Sequence, residues 1–415
     1  MKGIMFSFVM VFLTITLLTL IAVQRSLLTE SREQLFLETR INGMNDLHES
    51  IVRDIKKALD IITTRAISVA ISYTVIEGNT LPDADHALED LIQFGTLNGQ
   101  PQPLMINATF GNWTDKIAEV GNLKGFYVNI SRIDLKVKPY DSWNLEVGIN
   151  LTINITDLQG VASLNRSETI NALVNLEGLE DPLYPLNTGG QTSNFITRNP
   201  FEGNFTQLLL DNGKGKGYVY GEVVNVPWNQ ADGVQDKSSK ILVTDNAAAV
   251  ALSDLNNFKG IVSDDGINTA TVTPYVNETG IATTKLSNGT KVLIDGDNGR
   301  VWYIDNFIKH VENSYYNASN KGPSFLDRLE NKSVIQSKYS SQTSNTIGLE
   351  SFVNKHNFYW YYGISIDQNR TNIDYLYFNT SIDVDSKGVK GLDPQYFMID
   401  DIHDVAYNVS ELLIP

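Results

Sequence analysis

The chain has 415 residues, with 48 acidic and 32 basic side chains. Its formal net charge of −16 at pH 7 argues against nucleic-acid binding, because a phosphate backbone would be repelled. It contains no cysteine, which excludes disulfide bonds, thiolate nucleophiles and cysteine-bound zinc. The length is enough for one large hydrophobic core or two ordinary ones.

The first predicted element is an apolar run from Ile4 to Val23 that contains no charged residue. As a helix it would extend about 30 Å, which is the thickness of the hydrocarbon core of a bilayer. The run passes directly into a helical pattern, and the small residues of a cleavage site do not follow it. We therefore interpret it as a retained anchor and not as a removed signal peptide.

An amphipathic helical pattern follows the apolar run and continues to about residue 75. Its apolar positions recur at steps near three and four: Leu37, Ile41, Met44, Leu47, Ile51, Ile55, Leu59, Ile62, Ala66, Val69 and Tyr73. Joined to the apolar run, the pattern predicts one helix of roughly 100 Å. The alternative is a separate helix packed on its own domain, and both versions need an apolar surface against this stripe.

The next region, 78–182, has the pattern of a domain built from helices and a sheet. Two short helices are expected, at 83–94 and 113–120, with Asn112 as the cap of the second. Alternating apolar residues then predict strands at 126–137 and 145–155, and Ile170, Leu173 and Leu176 indicate a third. We therefore predict an α+β fold, in which a long N-terminal helix is followed by antiparallel β-rich extracellular domains.

The remaining region, 183–415, is expected to form a second β-rich domain after a loop-like stretch from Leu183 to Gln191. Short strands are predicted at 218–224, 240–243, 260–262, 271–273, 292–294 and 300–304, and helices at 305–313 and 324–330. The aromatic runs 358–362 and 375–378 are interpreted as β-prone. The predicted domain ranges are thus 1–77, 78–182 and 183–415.

Fourteen N-x-S/T sequons lie on the C-terminal side of the apolar run. The candidate glycosylation sites are Asn107, Asn112, Asn129, Asn150, Asn154, Asn165, Asn204, Asn277, Asn288, Asn317, Asn331, Asn369, Asn379 and Asn408. Their one-sided distribution indicates that the C-terminal side lies outside the cell. The alternative source of the pattern is a polar surface rich in Asn and Thr.

The order of anchor, long helix and sequon-rich β-head resembles the archaeal relatives of type IV pilins and archaellins. In that family a short basic segment ending in Lys or Arg and then Gly precedes the hydrophobic run, and here Lys2-Gly3 precedes Ile4. The resemblance implies processing between Gly3 and Ile4, and packing of the apolar helices of identical subunits into a filament core. Phe8 stands where pilins usually carry a Glu.

Chemical motifs are scarce, and we predict that the chain is not an enzyme. Asp295 and Asp297 lie in a Gly-containing turn with the spacing of calcium ligands, and they are the candidate metal site. A plain hairpin turn at Asn298-Gly299 is the alternative, and no other cofactor is expected. His403 lies between Asp400 and Asp404, and the favoured interpretation is a solvated acidic loop. The alternative is that these acidic neighbours raise the pKa of His403 or join it in a cation site. The two aspartates are also a remote candidate for hydrolysis.

These patterns together predict a cell-surface structural protein for adhesion or surface interaction. Residues 4–75 would contact membrane lipid or identical subunits, giving a single-pass anchored protein or a homo-oligomeric extracellular filament. The alternative is a monomeric, membrane-anchored carbohydrate-binding module or adhesin. Its sugar would stack on aromatic rings, for which the candidates are Trp302, Tyr303, Trp360 and Tyr361.

Overall fold

The computed structural model describes most of the chain, with gaps concentrated between positions 201 and 304. The described residues are 2–201, 206–208, 219–220, 222–244, 257–258, 260–263, 275–276, 281–285, 291–295, 300–302, 304–389, 392–410 and 413–414. By their internal contacts the residues form two compact units. The first unit comprises Met1–Ser72, Leu81–Tyr140 and Asn144–Asn175, and the second comprises Tyr73–Thr80, Asp141–Trp143 and Leu176–Pro415. The predicted domain ranges were drawn from composition, and they stay predictions.

The first element of the first unit is helix α1, which runs from Lys2 to Val75. One continuous helix was one of the two arrangements that the sequence left open, the other being a separate helix after the apolar run. Its buried apolar residues follow the predicted stripe from Met44 to Val69, but Leu37 and Ile41 at the start of the stripe are exposed. Burial of the stripe begins at Met44, one helical turn after Arg40, whose guanidinium lies over the Phe126 ring at 4.2 Å.

A three-stranded sheet with the order β3-β4-β5 supplies the core of the first unit. Its strands are β3 (Phe126–Asp141), β4 (Asn144–Asp157) and β5 (Ser163–Asn175). Every second residue of β4 from Leu145 to Ile155 is buried, as the alternation predicts. The third strand, indicated by Ile170, Leu173 and Leu176, is present as β5, but its buried positions are Ile170, Ala172 and Val174, and Leu173 is exposed. The spacing of three belongs to a helix, whereas a strand alternates.

Two short helices and a small hairpin complete the first unit. They are α2 (Ala84–Phe94), β1 (Thr96–Leu97), β2 (Gln100–Pro101) and α3 (Phe110–Leu123), with a 3-10 turn at Pro103–Met105. Both helices were predicted, but the cap of α3 is Thr109 and not Asn112. The Thr109 hydroxyl accepts from the backbone N–H of Asn112, whose side-chain oxygen accepts from the Thr109 backbone in return, forming a capping box.

The second unit holds many short elements. Its described helices are α4 (Leu183–Thr188), α5 (Ile304–Glu312), α6 (Phe325–Leu329), α7 (Lys355–Trp360) and α8 (Asp374–Phe378), with 3-10 turns at Trp228–Gly233, Lys237–Ser239 and Lys338–Gln342. Its described strands are β6 (Thr206–Leu208), β7 (Val219–Tyr220), β8 (Glu222–Asn225), β9 (Lys240–Thr244), β10 (Gly260–Ser263), β11 (Tyr275–Val276), β12 (Ile281–Lys285), β13 (Lys291–Asp295), β14 (Arg300–Trp302), β15 (Tyr316–Ser319), β16 (Gly348–Ser351), β17 (Ser386–Gly388) and β18 (Met398–Asp400).

Three sequence-based expectations for the second unit are corrected. The stretch after Leu183 is helix α4 and not a loop. The aromatic runs 358–362 and 375–378 contribute to helices α7 and α8 and not to strands. The sheet is not wholly antiparallel, because β8, β9 and β10 pair in parallel, as do β7 and β11. The predicted strand at 271–273 lies outside the described residues.

A cluster of aromatic side chains contributes to the core of the second unit. Phe307 of α5 packs against Phe352 and Phe397 with ring centroids 5.5 and 5.1 Å apart in edge-to-face geometry. The same cluster includes Tyr375 of α8 and Tyr407. Strand β16 passes beside this cluster and is buried at all four of its residues. A buried strand that contains a glutamate and a serine requires polar partners in the interior.

Candidate functional site

The apolar end of α1, Phe8–Leu28, is the largest exposed apolar feature of the described helix. Its 21 residues are all exposed, and they are long and apolar enough to cross a membrane. The later part, Gln34–Val75, passes the same test of length and composition, but half of the 18-residue apolar window within it is buried. Gly3 and Ile4, the predicted processing residues, lie in the first turns of α1.

The hydroxyl groups of the three threonines in this apolar end form hydrogen bonds within the helix. The hydroxyls of Thr14, Thr16 and Thr19 donate to backbone carbonyls four residues earlier, at 2.7, 2.7 and 3.0 Å. An unsatisfied hydroxyl in hydrocarbon costs several kcal/mol, so bonds within the helix remove that cost. The surface of Phe8–Leu28 is therefore compatible with a bilayer or with the apolar face of another helix.

The sequon asparagines divide by exposure. Six are exposed: Asn107, Asn129, Asn150, Asn165, Asn369 and Asn408. Five are partly buried: Asn112, Asn154, Asn317, Asn331 and Asn379. Three lie outside the described residues: Asn204, Asn277 and Asn288. A glycan is attached to the side-chain nitrogen, and in two of the partly buried residues this nitrogen already donates a hydrogen bond. Asn317 donates to the Tyr407 hydroxyl at 2.9 Å and Asn379 to the Ser333 carbonyl at 2.7 Å.

The remaining predicted site residues are placed only in part. Asp295 is the last residue of β13, and Asp297 lies outside the described residues, so calcium binding there stays a prediction. Among the described residues, one group of three metal-ligating side chains comes together, formed by Asp83, Asp85 and His86. His86 lies 3.4 Å from Asp83 and its side chain is 66 % exposed, which describes a local ion pair at the start of α2.

Two of the four aromatic candidates for stacking on a sugar, Trp360 and Tyr361, have side chains that the structure describes. Trp360 and Tyr361 are 61 % and 76 % exposed. The ring of Trp360 is tilted by 86° from that of Tyr359, however, and the Trp360 indole donates to the Tyr396 hydroxyl at 3.2 Å. Trp302 ends strand β14, and Tyr303 lies outside the described residues.

An ionic cluster that was not predicted lies in the interior of the second unit. The Arg328 guanidinium of α6 is fully buried and donates to the carboxylates of Asp181 and Asp374, the latter at 2.9 Å. It also donates to the Leu349 carbonyl of β16. Burial raises the pKa of Asp374, although Arg328 opposes that shift, and the Arg328 pKa is raised by its two carboxylate partners against the effect of burial.

Two further groups complete the coordination of these carboxylates. The Tyr316 hydroxyl of β15 donates to Asp181 at 2.7 Å, and the Ser351 hydroxyl of β16 donates to Asp374 at 2.7 Å. One guanidinium thus pairs with two carboxylates, and the hydroxyl groups hydrogen-bond to these carboxylates in place of water. We name Asp181, Arg328 and Asp374 the arginine cluster.

A second buried cluster centres on His403. Its Nδ1 lies 2.6 Å from Asp400, and its Nε2 lies 3.2 Å from Glu350 of β16 and 3.0 Å from the Tyr375 hydroxyl. Burial alone would lower the pKa of His403, but the two carboxylates outweigh burial and raise it to about 9. His403 is therefore an imidazolium at neutral pH, and the interpretation of this segment as a solvated acidic loop is wrong.

The pair of aspartates considered for hydrolysis is likewise occupied by structural contacts. Burial by itself would raise the pKa of Asp400, but hydrogen bonds from His403 and Thr371 outweigh burial, so the pKa of Asp400 is lowered. The Thr371 hydroxyl donates to Asp400 at 2.7 Å. The Asp400 side chain is buried, whereas Asp404 is partly exposed, so they do not form two accessible carboxylates. We name Glu350, Asp400 and His403 the histidine cluster.

Two members of the histidine cluster, Glu350 and His403, line a cleft of about 580 Å³. The walls are the end of β15 with the loop after it, residues 317–321, and the segment 402–408. Four asparagine side chains contribute to the lining, and they are Asn199, Asn317, Asn320 and Asn408. We name this cavity the Tyr407 cleft, after the buried tyrosine whose hydroxyl donates to Glu350 at 2.8 Å.

The two clusters have only a faint signal in the sequence. Asp181 and Arg328 are separated by 147 positions, so no local spacing relates them. The usable signal is a charged residue inside an apolar run, as for Arg328 between Leu326 and Leu329 and for Asp374 before Tyr375. Comparison with protein-family models, curated proteins and solved structures finds no match to this chain.

Proposed function

We propose that the chain is a cell-surface structural protein of pilin-like architecture, held by Phe8–Leu28 in a membrane or in a filament of its own copies. The observation that supports this proposal is the change in environment along the single helix α1. From Met44 to Val69 its apolar stripe is covered, whereas every residue of Phe8–Leu28 is exposed. The same helix thus has one part packed on a sheet and one part without an apolar environment.

The size of the exposed surface makes an apolar partner necessary. Phe8–Leu28 holds 14 large hydrophobic side chains, including Phe8 at 78 % exposure. Burying such a side chain is worth about 1.5–3 kcal/mol, so the whole segment has roughly 20 kcal/mol or more to gain from leaving water. Its 21 residues extend about 31 Å as a helix, which matches the hydrocarbon thickness of a bilayer.

The sequons support a location of both units on the outer side of the membrane. All fourteen lie on the C-terminal side of the apolar end, and six of them are exposed. We place both units outside the cell, with adhesion or another surface interaction as their role. A surface protein of this kind has no need of an exposed catalytic pair, and Asp400 is sequestered by His403 and Thr371.

Membrane partition of the full chain tests the anchor. Leu13→Arg with Leu17→Arg adds two charges to the middle of the segment, at about 2.5–3.5 kcal/mol each. We expect this variant to move from the alkali-resistant membrane fraction to the soluble or aggregated fraction. The matched control is Leu35→Arg with Phe36→Arg, two exposed positions on α1 outside Phe8–Leu28, which should stay with the membrane.

Electron microscopy of sheared cell surfaces separates the two assemblies. Filaments that contain this chain would identify a subunit whose apolar ends pack together. Membrane retention without filaments would identify the monomeric stalked adhesin. A wild-type chain that remains soluble after alkaline extraction, in the absence of filaments, contradicts the proposal in both forms.

A further inference from the structure

The Tyr407 cleft has side chains whose orientations are set before any ligand arrives. The Asn199 side chain donates to Asn317 at 3.0 Å, Asn317 donates to the Tyr407 hydroxyl at 2.9 Å, and this hydroxyl donates to Glu350. Glu350 in turn lies 3.2 Å from His403. Each donor in this chain points toward the buried carboxylate. A ligand therefore meets a wall that needs little reorganisation, which reduces the entropic cost of binding.

The charges around the cleft cancel. Glu350, His403 and Lys321 line the cleft, and Asp400, which does not line it, lies 2.6 Å from the Nδ1 of His403. The two carboxylates, the imidazolium and the ammonium group have formal charges that sum to zero. The electrostatics of the cleft thus favour a ligand without formal charge.

The uncharged polar groups of the lining are amides and hydroxyls. Asn199, Asn317, Asn320 and Asn408 are amides, each with donor and acceptor atoms, and Ser319 and Tyr407 add hydroxyls. A ligand hydroxyl also donates and accepts, so adjacent hydroxyls match such a surface. The volume of about 580 Å³ lies within the ~300–1,000 Å³ range of small-molecule sites.

We propose that the Tyr407 cleft binds a neutral saccharide of one or two rings. This site differs from the stacking residues expected from the sequence, because it selects hydroxyl groups through amides and not ring faces through aromatics. The proposal is independent of how α1 is anchored, because every residue that lines the cleft belongs to the second unit. Loss of membrane association would leave it intact, and loss of sugar binding would leave the anchor intact.

The test uses the full chain in a zwitterionic detergent without a sugar headgroup. Asn317 and Asn408 are sequon residues that line the cleft, so N-linked glycans are first released under native conditions to remove an internal competitor. Ligand-observed NMR and calorimetry are then run with neutral hexoses, N-acetylhexosamines and their disaccharides. We expect at least one of them to bind with a dissociation constant in the millimolar range or below.

Two variants place the binding in the cleft. Ala406→Trp puts a large ring at an exposed lining position and should weaken binding by roughly tenfold or more. Gln395→Trp, at an exposed position of the second unit that does not line the cleft, should bind as the wild type does. Asn320→Ala is the smaller perturbation, and thermal unfolding of all three variants verifies that they fold.

The proposal is overturned if no neutral sugar binds the folded wild-type chain. It is also overturned if Ala406→Trp and Asn320→Ala, both folded, bind as tightly as Gln395→Trp. Binding of charged solutes alone at the cleft refutes the argument from charge cancellation.

Discussion

Replacement of Arg328 by methionine tests whether the arginine cluster stabilises the second unit through charge. Methionine keeps much of the length of the side chain but removes the guanidinium that contacts Asp181 and Asp374. Both carboxylates would then be buried without this cation. Removing one partner of a buried ion pair typically costs about 3–5 kcal/mol, because the remaining charge is neither paired nor hydrated.

That loss is large beside the whole stability of a domain, which is about 5–15 kcal/mol. At ~2–4 °C per kcal/mol for a unit of this size, the melting temperature of Arg328→Met should fall by about 6–20 °C at neutral pH. Differential scanning calorimetry of the full chain in detergent measures this shift. Circular dichroism in the near ultraviolet reports the aromatic core of the second unit separately.

The pH dependence distinguishes a lost charge from a lost packing contact. In Arg328→Met the pKa of Asp374, which burial already raises in the wild type, should rise further, because the guanidinium no longer opposes the effect of burial. A carboxyl group whose folded pKa is raised binds protons more readily in the folded state. The deficit relative to wild type should therefore shrink as the pH falls from 7 toward 4.

The control is a double-mutant cycle. Adding Asp374→Asn to Arg328→Met removes one buried charge, so the double variant should be more stable than the sum of the two single losses predicts. A deficit that stays constant with pH, together with additive losses in the cycle, would refute the reasoning. The cluster would then act by packing alone.

Three further outcomes are expected. The pKa of His403 in the folded chain is raised to about 9, so protonated His403 contributes about 3 kcal/mol to the free energy of unfolding. This contribution is complete below pH 6.5 and is lost as the pH rises through 9. In His403→Gln the stability should therefore change less between pH 6.5 and pH 9 than in the wild type. Glycopeptide mass spectrometry should find a glycan on exposed Asn369 but not on Asn379, whose side-chain nitrogen is bonded within the fold. Gly348→Ala should destabilise the second unit by about 1–3 kcal/mol, because its Cβ would lie 2.6 Å from the Ser319 carbonyl oxygen.

Each of these outcomes has a matched comparison. A wild-type chain as stable at pH 10 as at pH 6 contradicts the assignment of a charged His403. A glycan on Asn379 with none on Asn369 contradicts the argument from engaged amides. Gly233→Ala is the control for Gly348→Ala, because nothing lies within 4 Å of its Cβ position, and equal stability of the two variants would show that the close contact relaxes without cost.

Features with a short-range period were predictable in this chain. The helix from about residue 4 to about 75 and the alternating strand from Leu145 to Ile155 follow from repeats of 3.6 and 2 residues. Features that depend on tertiary contacts were not predictable from the sequence. The run at 358–362 has β-prone aromatic residues, but the Asn354 side chain caps helix α7 by accepting from the Asn357 backbone, and Phe358 packs edge-to-face on Tyr184. Strand propensity is weak enough for such contacts to override it.

The sequence by itself determined the apolar end of α1 and the stripe that follows it, because hydrophobicity along one helix is a local property. Only the tertiary structure decided where burial of the stripe begins, which is near the contact between Arg40 and Phe126. It also decided which charged side chains are buried. Asp181 and Arg328 are 147 positions apart and Arg328 and Asp374 are 46 apart, so the sequence around each residue does not identify its partners. A charge enters a protein interior only where others compensate it, and that compensation depends on long-range contacts that no local pattern records.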